Sequence, residues 1–170
     1  MIFESFHLSN ISQTEPPVKM LLKKIISGLQ TGVDQTALIE AKKAGFETGG
    51  TAPFGWRTED GPAEWGSEYG LTMHHQSSYV PRTIRNVADS DVTVWFGKIS
   101  PGHNTTKTAC YKLHKPFYPN PTEATLAELA DKFAVWNIAG NRASIDTDGS
   151  AQKACQDAVQ FLSGLKAGQE

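Results

Sequence analysis

Five short segments of this chain carry residues able to do chemistry, and what they share is a capacity to hold an anion. The first is Ser27-Gly28-Leu29-Gln30-Thr31-Gly32-Val33-Asp34. Thr31 offers a hydroxyl and a backbone N–H, with Gly28 and Gln30 beside it in the turn. Gly32 permits close approach of the main chain. Asp34 falls where a carboxylate complements a helix start or orders the turn. The segment follows the apolar run Lys24-Ile25-Ile26 and opens into Ala37, Leu38, Ala41 and Ala44, which share one helical face. Strand, glycine turn and helix in that order leave unpaired N–H groups and the positive end of a helix dipole at the turn. A plain capped turn uses the same residues. Neither G-x-G-x-x-G nor G-x-x-x-x-G-K-[ST] occurs, which argues against standard NAD binding and Walker-type ATP hydrolysis.

The second segment runs from Pro53 to Pro62 and holds Arg57, able to fork onto a phosphate or carboxylate. Its adjacent Glu59 and Asp60 are weak candidates for acid/base catalysis, since sequence neighbours point apart. In the third, Arg82 and Asn86 lie four apart on one helix face, while Arg85 and Asp89 read as a surface ion pair. The fourth, Ser100 to Thr108, follows a strand and is rich in hydroxyls. Thr105, Thr106 and Thr108 are its anion candidates, with Thr105 as N-cap the plainer reading. The fifth, Asn137 to Arg142, delivers a turn and an arginine at a strand end. His74 and His75 are loop neighbours, the other histidines are scattered, and no H-x-x-x-H, C-x-x-C or G-x-S-x-G occurs. A metal site is therefore not expected.

These segments need a scaffold. The pattern predicts strands at Lys24–Ile26, Thr48–Thr51, Asp91–Gly97, Pro116–Tyr118 and Val135–Ala139. Helices are predicted after Gly32, over Tyr79–Asp89, over Thr105–Leu113, from a Thr122 cap, and from Ser150 or Asp148 onward. A long irregular segment is expected from Pro53 to Ser77. Alternating elements imply an α/β, Rossmann-like, doubly wound sheet of about five mostly parallel strands with helices on both faces. Residues 1–18 read as a flexible arm without signal-peptide character, and 19–170 as one ligand-binding domain.

Net charge is −2, with 20% charged residues and no long basic run, so nucleic-acid binding is not expected. No apolar run is long enough to cross a bilayer. Cys110 and Cys155 both fall in predicted helices and read as free thiols of a cytoplasmic protein.

Taken in order, the chain from about Lys24 resembles the molybdenum-cofactor carrier family, Rossmann-like proteins related to the LOG or lysine decarboxylase-like group. The likeness rests on the first turn, Gly49-Gly50, Gly55-x-Arg57-x-Glu59-Asp60-Gly61, Tyr79-x-x-Arg82-Thr83-x-x-Asn86-Val87-x-x-Ser90-Asp91, Lys115-Pro116 and Asn137-x-Ala139-Gly140-x-Arg142. The resemblance implies a pocket for a nucleotide or pterin phosphate. It also implies a homo-oligomer that binds molybdopterin, the molybdenum cofactor, without turnover. Leu29 stands where a glycine is usual, Gln35 where an arginine is, His103-Asn104 near a Gly-Gly-Thr turn, and Asn141 where a proline is. Two alternatives stay open: a LOG-like nucleoside-monophosphate phosphoribohydrolase, whose catalytic glutamate has no counterpart in Pro101–Thr108, and a nucleotide-sensing signalling domain.

Overall fold

The structure, a computed structural model, describes residues 20–169; the predicted arm 1–18 lies outside the described residues. Six parallel strands form one sheet: β1 (Lys24–Ile26), β2 (Glu47–Ala52), β3 (Leu71–Met73), β4 (Val92–Phe96), β5 (Phe117–Pro119) and β6 (Val135–Gly140). Their order is β3-β2-β1-β6-β4-β5. The chain builds outward from β1 to β3, crosses to β4 and β5, and returns to insert β6 between the two halves. The reversal at β1, β6 and β4 is where a doubly wound sheet opens a crevice beyond its strand ends.

Alternation along the strands assigns the two faces. Ile25, Val92, Val94, Phe96, Trp136 and Ile138 point to one side and form the main core with α1 (Val33–Lys43), α4 (Glu123–Lys132) and α5 (Ser150–Ala167). Each large side chain fully buried there is worth roughly 1.5–3 kcal/mol. The opposite face is polar at its centre. Asn137 donates from Nδ2 to Thr93 Oγ1 at 3.2 Å, both side chains being buried. It is covered by α2 (Tyr79–Ala88) and α3 (Pro101–Lys112), which pack on each other with Val87, Ala109 and Cys110 between them.

The α/β sheet expected from the sequence is present, and three details change. It has six strands where about five are expected, because the Pro53–Ser77 segment is not structureless. It holds 3-10 turns at Phe54–Trp56 and Glu64–Tyr69 and the added strand β3. Only Leu71 of β3 is buried, too little to show a period. Helix α3 begins at Pro101, not Thr105. Ser100 caps it by accepting from the His103 N–H at 3.2 Å, with Pro101 suited to the first turn. Thr105 instead donates its hydroxyl back to the Pro101 carbonyl. At α5 the N-cap is Gly149, at φ 74°, not Ser150 or Asp148; Asp148 accepts from Ser150 N, and Asp146 accepts from both Ala151 N and Gln152 N. Thr122 caps α4 through Thr125 N, as its position predicts.

Candidate functional site

A cleft of about 490 Å3 opens at the carboxyl ends of β1, β4 and β6, on the side of α2 and α3. Its size falls in the range of small-molecule sites. The β1–α1 turn forms one wall. Leu29 occupies the left-handed region, φ 73°, where glycine would be at ease. It holds that conformation with its side chain fully buried among Leu38, Ala52, Ala63 and Leu71. Gln30 accepts two backbone N–H bonds on Oε1, from Thr31 and from Glu59, both at 3.0 Å. Asp34 turns inward and accepts from Gln30 N at 3.3 Å.

Helix α2 supplies the cation. It turns Arg82 and Asn86 toward the sheet and leaves Val80 and Ile84 outside, the reverse of an ordinary amphipathic helix. The Arg82 guanidinium lies across Gly28, in the space a Cβ would fill, and its Nη1 stands 3.5 Å from Asp34 Oδ2. Burial pushes the Asp34 carboxyl above its ordinary value against the pull of Arg82 and the Gln30 N–H. The same burial draws Arg82 below its own ordinary value.

Three arginines gather round one ring. The guanidinium carbons of Arg57, Arg142 and Arg82 lie 4.7, 5.1 and 5.5 Å from the centre of Tyr79, which the α2 N-terminus presents to the cleft. The ring's negative face favours such cations. Arg57 also donates to the Ser77 carbonyl.

Glu59 ties three loops together. Its carboxylate accepts from Thr31 Oγ1, from Ser144 N and from Ser144 Oγ, and Arg142 Nη1 lies 4.0 Å away. Burial alone would raise this carboxyl, but the hydrogen bonds from Ser144 and Thr31, with Arg142 beside them, hold it below its ordinary value. Asn141 adds a tie from the β6 loop to the β4 loop, accepting from Lys98 N and donating to the Lys98 carbonyl and Ser100 Oγ.

The buried side-chain nitrogens and oxygens without a partner among the described residues are Gln30 Nε2, Arg82 Nε and Trp95 Nε1. All three residues line this cleft. All three atoms are donors, and an unpaired buried donor costs about 1–3 kcal/mol. The cleft therefore lacks acceptors that a ligand would bring. A larger recess of about 590 Å3 runs along β2 and β3 beside His74 and His75, but no such unpartnered group lines it.

The sequence candidates divide accordingly. Gln30, Asp34, Arg82, Thr105, Thr106 and Arg142 line the cleft, with Arg57 at its edge on Tyr79 and Gly28 under Arg82. Thr31 spends its hydroxyl on Glu59 and its N–H on Gln30. Gly32, at φ 82°, is demanded by the neighbouring loop: a Cβ would stand 2.5 Å from the Asn141 carbonyl oxygen. Asn86 spends its whole amide on β2, accepting from Thr51 N and donating to the Thr51 carbonyl. Thr108 faces the outer groove between α2 and α3. Glu59 is the loop tie, and Asp60 is exposed. Among the described residues no group of His, Cys, Asp or Glu could hold a metal ion, and no helix is long and apolar enough to cross a membrane. Site residues outside the sequence candidates are Tyr79, Trp95 and Ser144. Tyr79 was within reach, three residues before Arg82 at the helix start. Trp95 reads as strand core, and Ser144 carries no signal.

Comparison with known proteins gives two matches. Residues 25–162 match the circularly permutated YpsA SLOG family. A crystal structure from Syntrophus aciditrophicus, of a protein named as a candidate molybdenum carrier, is 31% identical. The match covers 84% of this chain and 96% of that one, with a TM-score of 0.73. No curated protein matches the chain.

Proposed function

This chain belongs to the circularly permutated YpsA SLOG family, and on that premise we propose that it binds and carries a phosphate-bearing small molecule, the molybdenum cofactor, without turning it over. The observation that carries the reading is the gathering of Arg57, Arg82 and Arg142 round Tyr79 beside three buried donors lacking acceptors. A phosphate supplies what those groups lack, since charge-assisted hydrogen bonds to arginine are among the strong ones. The name of the Syntrophus aciditrophicus protein supports molybdenum cofactor as the cargo. The carboxylates support retention without reaction. Asp34 is paired with Arg82, Glu59 is committed to Thr31 and Ser144, and Asp60 is exposed, so none is poised as an acid or base. The protein acts in the cytoplasm as a homo-oligomer and uses neither nucleic acid nor membrane. Val80, Ile84 and Leu113, exposed along the α2–α3 groove, support association.

The test is native mass spectrometry of freshly purified protein, followed by titration with molybdopterin cofactor. The expected result is defined stoichiometry and no release of free base from nucleoside monophosphates. Base release that vanishes in Glu59→Gln would move the chain to the phosphoribohydrolase side.

A further inference from the structure

We propose that Trp95 is the specificity-determining donor of the cleft: its indole N–H reads a ring carbonyl at the uncharged end of the ligand and so selects oxo heterocycles over amino ones. The inference rests on the reading of the cleft as a site for a phosphorylated heterocycle.

Strand register places the two ends. Ile26 pairs with Asn137, and Trp95 pairs with Ala139. Continuing the first pairing by two residues sets Gly28 level with Ala139. Gly28, Ala139 and Trp95 thus form a row across β1, β6 and β4, two interstrand gaps or about 10 Å long. Arg82 lies over Gly28 at one end. The middle is floored by the small residues Ala139 and Gly140. At the far end the lining is Trp95 with Ser100, Pro101 and Gly102 of the α3 start, Gly102 lying beside the indole, with no charged side chain among them. A phosphate belongs with the arginines. A flat ring fits the small-residue floor, and its outer edge arrives at Trp95.

Trp95 is 2% exposed and packs edge-on against His103, ring centres 5.2 Å apart. Helix α3 holds that histidine, also edge-on to Phe117. The indole is therefore fixed, and its N–H is left without a partner among the described residues. An indole can only donate. A ring carbonyl brought to the N–H satisfies it, whereas an exocyclic amino group sets donor against donor.

Inosine and adenosine monophosphates are suitable probes, since they carry the same phosphate and differ at the oxo or amino position. Calorimetry should show the inosine form binding at least about fivefold more tightly, the lower end for a buried donor left unpaired. Trp95→Phe, which keeps an aromatic ring against His103, should abolish the preference mainly by weakening the inosine form. Should that variant fail to fold, the indole N–H resonance of the unmodified protein still decides. It should move downfield with the inosine form and not with pyrophosphate. Equal or tighter adenosine binding, a preference that survives Trp95→Phe, or an unmoved indole resonance overturns the assignment. Pyrophosphate binding lost in Arg82→Lys, with the two nucleotides indistinguishable, removes Trp95 alone. Failure of all three probes removes the anion site as well.

Discussion

The Arg82 guanidinium occupies the space that a Cβ on Gly28 would fill, so the smallest residue of the first turn and the buried cation of α2 are one feature. Gly28 is not in the positive-φ region, so alanine is tolerable to the backbone there. Gly28→Ala should displace Arg82 and weaken binding of the cargo by about 1.5–3 kcal/mol, the value of a charged hydrogen bond. The protein should remain folded by circular dichroism. Gly32→Val should behave differently, since its Cβ would meet loop backbone at a φ of 82°. The expected result is loss of thermal stability before any question of binding arises. A folded Gly32→Val that binds normally would contradict this account.

Arg82→Ala leaves the Asp34 carboxylate buried without its cation. Removing one partner of a buried pair costs about 3–5 kcal/mol. Asp34→Asn in the same chain should restore part of that loss in denaturant unfolding. Arg85→Ala breaks only the exposed pair with Asp89 and should cost less than about 1 kcal/mol. A larger effect from Arg85 than from Arg82 would reverse the assignment.

Glu59 supplies a pH dependence. Its carboxyl is held below its ordinary value in the folded protein, so the unfolded chain binds the proton more readily. Its contribution to stability is present above the ordinary carboxylate pKa of about 4.3 and is lost as pH falls through the lower, folded value. Melting temperature should fall over that acid range. The fall should be shallower in Glu59→Gln, which is less stable at neutral pH. Identical acid profiles for the two proteins would show that the tie contributes nothing.

Asn86→Ala tests a residue first read as ligand-binding. Among the described residues its amide pairs only with the Thr51 backbone, so truncation leaves a buried N–H and C=O unpaired and should cost about 1–3 kcal/mol in stability. Ligand affinity of the folded fraction should be unchanged.

Both cysteines are buried, and burial pushes both thiols up from their ordinary value. Neither should react with a thiol reagent at neutral pH until the protein is denatured. Mass spectrometry of the native, treated protein reads this directly.

How much of this was legible depended on what each residue's neighbours reveal. The turn from Gly28 to Asp34 and the delivery of Arg142 follow from element order, because strand ends in an α/β sheet point to one crevice. The use made of a side chain does not follow. Spacing puts Arg82 and Asn86 on one face, yet only the fold shows one amide fully spent on β2 and the other side chain left with a free Nε. The sequence pattern groups Thr108 with Thr105 because it starts the helix four residues late. From Pro101, Thr108 lies two turns in, beyond reach of the start. Trp95 was hidden because a tryptophan inside a fully buried strand reads as core.

The tie made by Glu59 has a consequence for how the cleft comes into being. It joins Glu59 to Thr31 and Ser144, 28 and 85 positions away, and Thr31 in turn accepts from Ala143 N, 112 positions away; these groups can meet only once β1 and β6 are paired. Such long-range closures form late in folding, after local helices. A chain still on the ribosome, or one caught half-folded, would have Arg57 and Arg142 scattered and nothing with which to grip an anion. Cargo binding would then be confined to finished molecules, and cargo would in turn draw the population toward them by mass action.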